Sequence, residues 1–213
     1  MNYIDLLHLE NERLSVLLTR YLGKQLLQLD NYALWRPNTP QITHKIYVSN
    51  KPTSIPSASQ ETPFLYSAFT HLPFVSDSLS LVLLPHTLEL EKTPKSILKE
   101  AWRVLSPNGY LILLGSNPVS FLGLARLLAS TQVLPRPEHL LALQTVCRWI
   151  HYLRGDICHI ESFFFRPPLS GTVGQWFFRR LFWLEKISPW LFPYLGGLYL
   201  VIAQKRLQQW SGL

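Results

Sequence analysis

Cysteine is scarce: only Cys147 and Cys158 occur in 213 residues. They lack Cys-x-x-Cys spacing, and no His pair with ligand spacing stands near them. A disulfide framework and a structural zinc site are therefore not expected, and no other metal is. Two buried free thiols in a reducing compartment is the simple reading, which places the chain in the cytoplasm. Compact Lys/Arg blocks are absent too, although the formal net charge is +7. That charge biases the surface toward anionic partners, but no specific nucleic-acid site is expected. Met1–Glu10 carries Asp5 and Glu10 and has no positive segment before an apolar run, so no signal peptide is expected. Nor is there an unbroken apolar run of about 20 residues, the length a spanning helix needs. Ile187–Gln204 comes nearest, but Pro189, Pro193 and Gly196-Gly197 break it; it reads as a loop followed by a buried strand. Internal repeats are missing. Gly23-Lys24 lacks the spacing of a phosphate-binding loop, and no Gly-x-Ser-x-Gly elbow exists.

What is present is apolar punctuation at a regular spacing. Hydrophobic residues make up 47% of the chain, enough for the core of one domain spanning residues 1–213. Ile4, Leu7, Leu14, Leu17, Leu18 and Tyr21 recur at helical spacing, with Glu10, Glu12 and Arg13 assigned to other faces and Gly23 as a stop. Strands are expected at Gln25–Asp30, His44–Asn50, Phe64–Ala68, Leu79–Leu84 and Tyr110–Leu114. Pro94–Leu105 reads as a helix with proline in its first turn, closed by the turn Ser106-Pro107-Asn108-Gly109. Further helices are expected at Phe121–Ser130, Glu138–Tyr152 and Val173–Ile187, and strands at Asp156–Phe165 and Gly197–Lys205. This alternation predicts an α/β fold: a doubly wound, mainly parallel sheet with an antiparallel edge strand at the C-terminus. Residues 1–23 form the N-terminal helix, 24–115 one half of the sheet and 116–213 the other half, with the aromatic helix and the final strand.

The stretch Leu72–Gly115 carries an ordered set of pieces: Leu72-Pro73-Phe74, the strand Leu81–Leu84, His86-Thr87-Leu88-Glu89, Pro94, then Glu100, Arg103-Val104-Leu105 and Pro107-x-Gly109. In that order and spacing it resembles the methyltransferase type 11 family of class I, S-adenosylmethionine (SAM)-dependent methyltransferases. Asn11–Asn31, Gly115–Leu124 and Leu198–Arg206 extend the resemblance to the YafS-like branch of that family. The resemblance implies a Rossmann-like sheet with SAM outside the carboxyl ends of its strands.

It also implies a glycine-rich turn after strand one, a carboxylate after strand two for the ribose hydroxyls, and an Asp ahead of the Leu-Pro-Phe segment. Here those positions hold Asp30-Asn31-Tyr32-Ala33-Leu34, Ser49-Asn50 and Ser67-Ala68, and strand four carries Ser80 where an Asp is usual. Each charge-assisted hydrogen bond lost is worth about 1.5–3 kcal/mol, so two or three losses weaken SAM binding by orders of magnitude unless other groups compensate. The cofactor-side candidates are Asp30, Asn31, Tyr32, Ser49, Asn50, Ser67, Ala68, Leu84 and Pro85.

Two residues are candidates for chemistry. His86, at the strand-four exit, is either a substrate-orienting group or general base, or a turn histidine bonding the backbone. Asn117, after strand five, is either a turn residue or a substrate contact. Glu89, Glu91 and Glu100 offer carboxylates, with Glu100 read as an ion-pair partner on the helix surface. The aromatic stripe Trp176–Trp183 is core, a partner surface or a membrane-interface face. Two functions follow from different classes. One is SAM-dependent methyl transfer to an acceptor, for which the apolar C-terminal part suits a small apolar molecule. The other is a methyltransferase-fold binding or scaffolding protein without catalysis, with peripheral membrane contact through Phe163–Tyr199.

Overall fold

A computed structural model describes residues 3–21, 25–31, 35–51, 63–118, 120, 138–163 and 196–206. The elements in chain order are helix α1 (Tyr3–Leu18), strands β1 (Gln25–Leu29), β2 (His44–Ser49), β3 (Phe64–Tyr66) and β4 (Leu79–Pro85), helices α2 (Thr87–Leu90) and α3 (Pro94–Val104), strand β5 (Leu105–Ser116), helix α4 (Leu143–Tyr152), and strands β6 (Gly155–Phe163) and β7 (Leu198–Lys205). The strands form one sheet of order β3-β2-β1-β4-β5-β7-β6. The ladders from β3 to β5 are parallel, and β7 runs antiparallel to both β5 and β6. The C-terminal strand is thus antiparallel as expected, and it lies one place in from the edge, with β6 outside it.

Burial on both faces explains why β4, β7 and the Tyr110–Leu114 part of β5 are apolar almost without interruption. Alternate residues feed two cores. Leu27, Leu29, Val82, Leu84, Leu111 and Leu113 pack toward α3 and α4. Leu26, Leu81, Leu83, Ile112 and Leu114 pack toward Leu14, Leu17 and Leu18 of α1 and toward Trp35. In α3 the spacing Ile97, Leu98, Ala101, Trp102 and Val104 buries one face. The turn Ser106–Gly109 is absorbed into β5 as a bulge: Leu79 pairs with Leu105, but Leu81 already pairs with Tyr110. Asn108 takes the left-handed conformation there, φ 62.

Several expectations are corrected. Residues 138–142 are not helical: the Glu138 and His139 amides donate to the Glu89 carbonyl, which holds that stretch extended before α4. The thiols are not both buried; Cys147 is half-buried and Cys158 exposed. Glu10 is fully buried on the sheet-facing side of α1, because it falls in register with Leu7, Leu14 and Leu17. Ser80 sits at the amino end of β4, where its hydroxyl donates to the Gln25 carbonyl and accepts from the Gln25 amide. The expected helices at Phe121–Ser130 and Val173–Ile187, with the Trp176–Trp183 stripe, lie outside the described residues, as does Gly23. Among the described residues no helix is long and apolar enough to cross a membrane.

Gly115 on β5 backs directly onto the Tyr199 ring of β7, and a Cβ there would overlap its hydroxyl end. That ring is buried and its hydroxyl donates to the Leu141 carbonyl at 3.0 Å. Gly115→Ala should therefore destabilise the fold by about 1–3 kcal/mol, the range for an overpacked core, measured as a lower urea midpoint at unchanged slope.

Candidate functional site

Buried polar side chains gather at the carboxyl ends of the parallel strands. Asp30 and Asn31 follow β1, Ser49 ends β2, His86, Thr87 and Glu89 follow β4, and Ser116 and Asn117 end β5. Glu10 reaches the same end from α1 and Gln28 from within β1. Polar groups are costly inside a protein unless bonded, so their concentration at one end of the sheet marks it.

The centre is a carboxylate–imidazole–carboxylate cluster. His86 Nε2 lies 3.2 Å from Glu10 Oε1 and His86 Nδ1 lies 3.1 Å from Glu89 Oε2. All three side chains are at most 3% exposed. Burial alone would drive the imidazolium toward its neutral form, but the charges and hydrogen bonds of Glu10 and Glu89 outweigh it and raise the His86 pKa from 6.5 to about 9. At neutral pH both ring nitrogens therefore donate. The outer carboxylate oxygens are engaged as well. Trp35 Nε1 donates to Glu10 Oε2 at 2.6 Å, and the Ser116 amide and hydroxyl both donate to Glu89. His86 itself is in the left-handed region, φ 53. Of the two readings of His86, substrate-side group or turn histidine, the structure shows a residue whose two ring nitrogens both face buried carboxylates and whose carbonyl accepts from the Glu89 amide.

A second knot lies between β1 and β2. Asn31 Oδ1 accepts from Ser49 Oγ at 3.1 Å and from the Asn50 amide at 3.0 Å, while Asn31 Nδ2 donates to Glu91 at 2.6 Å. Glu91 thus brings a half-buried carboxylate to the β1 and β2 exits, from the segment after β4. Gln28 Nε2 donates to Asp30 at 3.3 Å and to the Trp35 carbonyl at 2.7 Å. Leu84 and Pro85 are buried in the β4 exit. Ser67 and Ala68 stand farther out, with Ser67 Oγ donating to the His71 carbonyl at 3.0 Å. Tyr32 lies outside the described residues.

Asn117 forms a turn: its amide donates to the Gly197 carbonyl and its carbonyl accepts from Ser120. Glu100 serves structure, accepting from Arg103 at 2.7 Å and from the Leu72 amide at 2.8 Å. The arrangement brings Asp30, Asn31, Ser49, Asn50, Pro85 and His86 to one end of the sheet. Two residues escaped sequence reasoning, Glu10 and Trp35. The signal for Glu10 was a carboxylate at an apolar-stripe position, three residues from Leu7 and four from Leu14. Trp35 offered none. No group of three or more His, Cys, Asp or Glu among the described residues is arranged to hold a metal ion.

Comparison with known proteins bears on this end of the sheet. The sequence profile of the methyltransferase domain family matches residues 41–113. The Escherichia coli K12 protein YafS, itself uncharacterised, is 29% identical over 193 residues, 88% of this chain and 71% of its own length. A SAM-dependent methyltransferase of Archaeoglobus fulgidus superposes with TM-score 0.64 at 17% identity, over 93% of this chain and 94% of that one. A SAM-dependent, possible histamine N-methyltransferase of Thermotoga maritima gives 0.64 at 19% identity, over 94% and 92%. The [4+2]-cyclase SpnF shares the fold as well, at TM-score 0.62 and 13% identity over 92% and 80%, so the architecture hosts more than one chemistry.

The His86 cluster makes stability depend on pH with a definite sign. The folded pKa, about 9, lies above the ordinary 6.5, so the stabilisation is complete below about 6.5 and is lost as pH rises through about 9. Thermal midpoints should fall from pH 7 to pH 9.5. His86→Asn, which tolerates the left-handed backbone, should flatten that dependence and cost about 3–5 kcal/mol near neutrality, as for a broken buried ion pair.

Proposed function

We propose that this chain, which has the class I methyltransferase fold and is of the YafS-like type, binds SAM across the carboxyl ends of β1, β2 and β4 and passes its methyl group to an acceptor. The observation that carries the proposal is the gathering of buried polar groups at those strand ends, around the β1/β4 junction where strand order reverses.

The residues present suit the cofactor's chemistry. SAM is cationic at its sulfonium and ammonium and carries two ribose hydroxyls. Glu10, Asp30, Glu89 and Glu91 collect at this end around the His86 imidazolium, so the local carboxylates outnumber that cation in a chain of net charge +7. Gln28 Oε1 is buried without a donor among the described residues. Glu91 holds Asn31 through Oε1, and its Oε2 makes no hydrogen bond among the described residues. In this reading Glu91 replaces in space the carboxylate missing after β2. Asn31, Ser49 and Asn50 frame the ribose side, Asp30 the β1 exit, Ser67 and Ala68 the adenine side, and Leu84 and Pro85 the floor.

SAM supplies an activated methyl on a sulfonium, which demands alignment and dry surroundings more than a dedicated base. The chain's own groups orient and exclude water: Trp35, Leu84 and Leu114 are buried beneath the strand ends. A small apolar acceptor suits the composition of the C-terminal third.

Calorimetry with SAM and S-adenosylhomocysteine tests the proposal. Saturable heat below millimolar ligand is expected, and none at millimolar SAM would sink it. Glu91→Gln should weaken SAM about tenfold or more, since a hydrogen bond to a charged group is worth about 1.5–3 kcal/mol.

A further inference from the structure

The connection after β1 has no glycine from Asp30 to Leu34, yet buried hydrogen bonds hold both of its flanks. Asn31 is held by Glu91, Ser49 and the Asn50 amide. Trp35 is fully buried, with its indole N–H on Glu10 and its carbonyl on Gln28. The other Glu10 oxygen takes His86, and the Trp35 and His86 rings lie 5.2 Å apart. One carboxylate from α1 therefore joins the segments after β1 and after β4, the two that bracket the reversal of strand order.

Resting on the SAM site proposed above, we infer that Glu10 is a positioning residue for the cofactor: it fixes the β1 exit through Trp35 and the β4 exit through His86, achieving by side-chain hydrogen bonds what a glycine-rich turn achieves by close backbone approach. Stability alone does not account for it. Position 10 belongs to the apolar stripe of α1, where a leucine would pack without desolvating a charge, and buried ion pairs are commonly no more stabilising than apolar replacements. His86 also bears a left-handed backbone, a strain that persists where the surroundings over-determine it and that clusters at functional sites.

The charged groups bearing on His86 are Glu10 from α1 and Glu89 from α2. Glu89 in turn faces Tyr199 of β7, whose phenol burial and the Glu89 charge keep neutral. Asp30, at the end of β1, bonds the Gln28 amide.

The test compares Glu10→Gln with Glu161→Gln. Glu10→Gln keeps the shape and removes the charge. Glu161→Gln removes a different tie of α1, the surface pair with Arg13 at 2.9 Å. At pH 7, Glu10→Gln should bind SAM about tenfold more weakly, the scale of one charge-assisted hydrogen bond, and Glu161→Gln should match the wild type. From pH 6.5 to 9.5, wild-type affinity should decline with a midpoint near the His86 value of about 9. The midpoint should move to lower pH in Glu10→Gln, in step with the His86 ring titration followed by nitrogen NMR. Equal losses in the two variants, or an unmoved midpoint, would overturn the inference. A wild type that binds no SAM defeats the cofactor site itself, a separate outcome. If Glu10→Gln does not fold, Trp35→Phe, which keeps a ring and removes the donor, should weaken SAM while leaving the His86 titration in place; unchanged affinity there also overturns the inference.

Discussion

A protonated histidine between two buried carboxylates is an expensive object, and the carboxyl end of this sheet is arranged around it. Taking these groups out of water is tolerable only if they are well bonded, and here both ring nitrogens and all four carboxylate oxygens have a partner. His86 donates to Glu10 and Glu89, Trp35 donates to the second oxygen of Glu10, and Ser116 donates twice to Glu89. Each partner belongs to a different element: α1, the segment after β1, the β4 exit, α2 and the end of β5. Satisfying one imidazolium therefore sets the relative positions of five pieces of chain.

The hydrophobic core could not have done this alone. Leu81, Leu83, Ile112 and Leu114 hold α1 against the sheet, but apolar contact is not directional and specifies rotation and register weakly. The hydrogen bonds add direction. They extend outward through Gln28 and Asp30 on one side and through the Glu89 carbonyl to the amides of Glu138 and His139 on the other. Around the β1 and β4 exits these bonds join Asn31, Trp35 and His86 to carboxylates from other elements.

Most of the architecture was legible. Near-continuous apolar runs marked β4, β5 and β7, period-two alternation marked β2, and Pro94 with the Ile97–Val104 stripe marked α3, because burial on two faces, one face or one stripe leaves distinct periodicities. The Ser106–Gly109 turn was legible as a turn but not as a bulge, since which strand absorbs extra residues depends on its neighbour. Residues 138–142 looked helical by composition and are extended because their amides find the Glu89 carbonyl, a partner some 50 positions earlier in the chain. For the site, Asn31, Ser49 and Asn50 were named from their place after strands, and they do meet. Glu10 was misassigned to an outer face because a carboxylate in a helix normally seeks water.

By itself, then, the sequence determined what is local or periodic: the order of strands and helices, the parallel sheet, the antiparallel last strand, and which residues leave the strand ends. Those follow from side-chain alternation and turn chemistry within a few residues. Only the tertiary structure decided that Glu10, Trp35, His86 and Glu89 are one unit, that Glu91 supplies a carboxylate at the exit of β1, and that both ring nitrogens of His86 face carboxylates. Protonation and hydrogen-bond partnership depend on desolvation and on charges 3 Å away, and the groups that supply them lie 76 residues apart along the chain, Glu10 and His86.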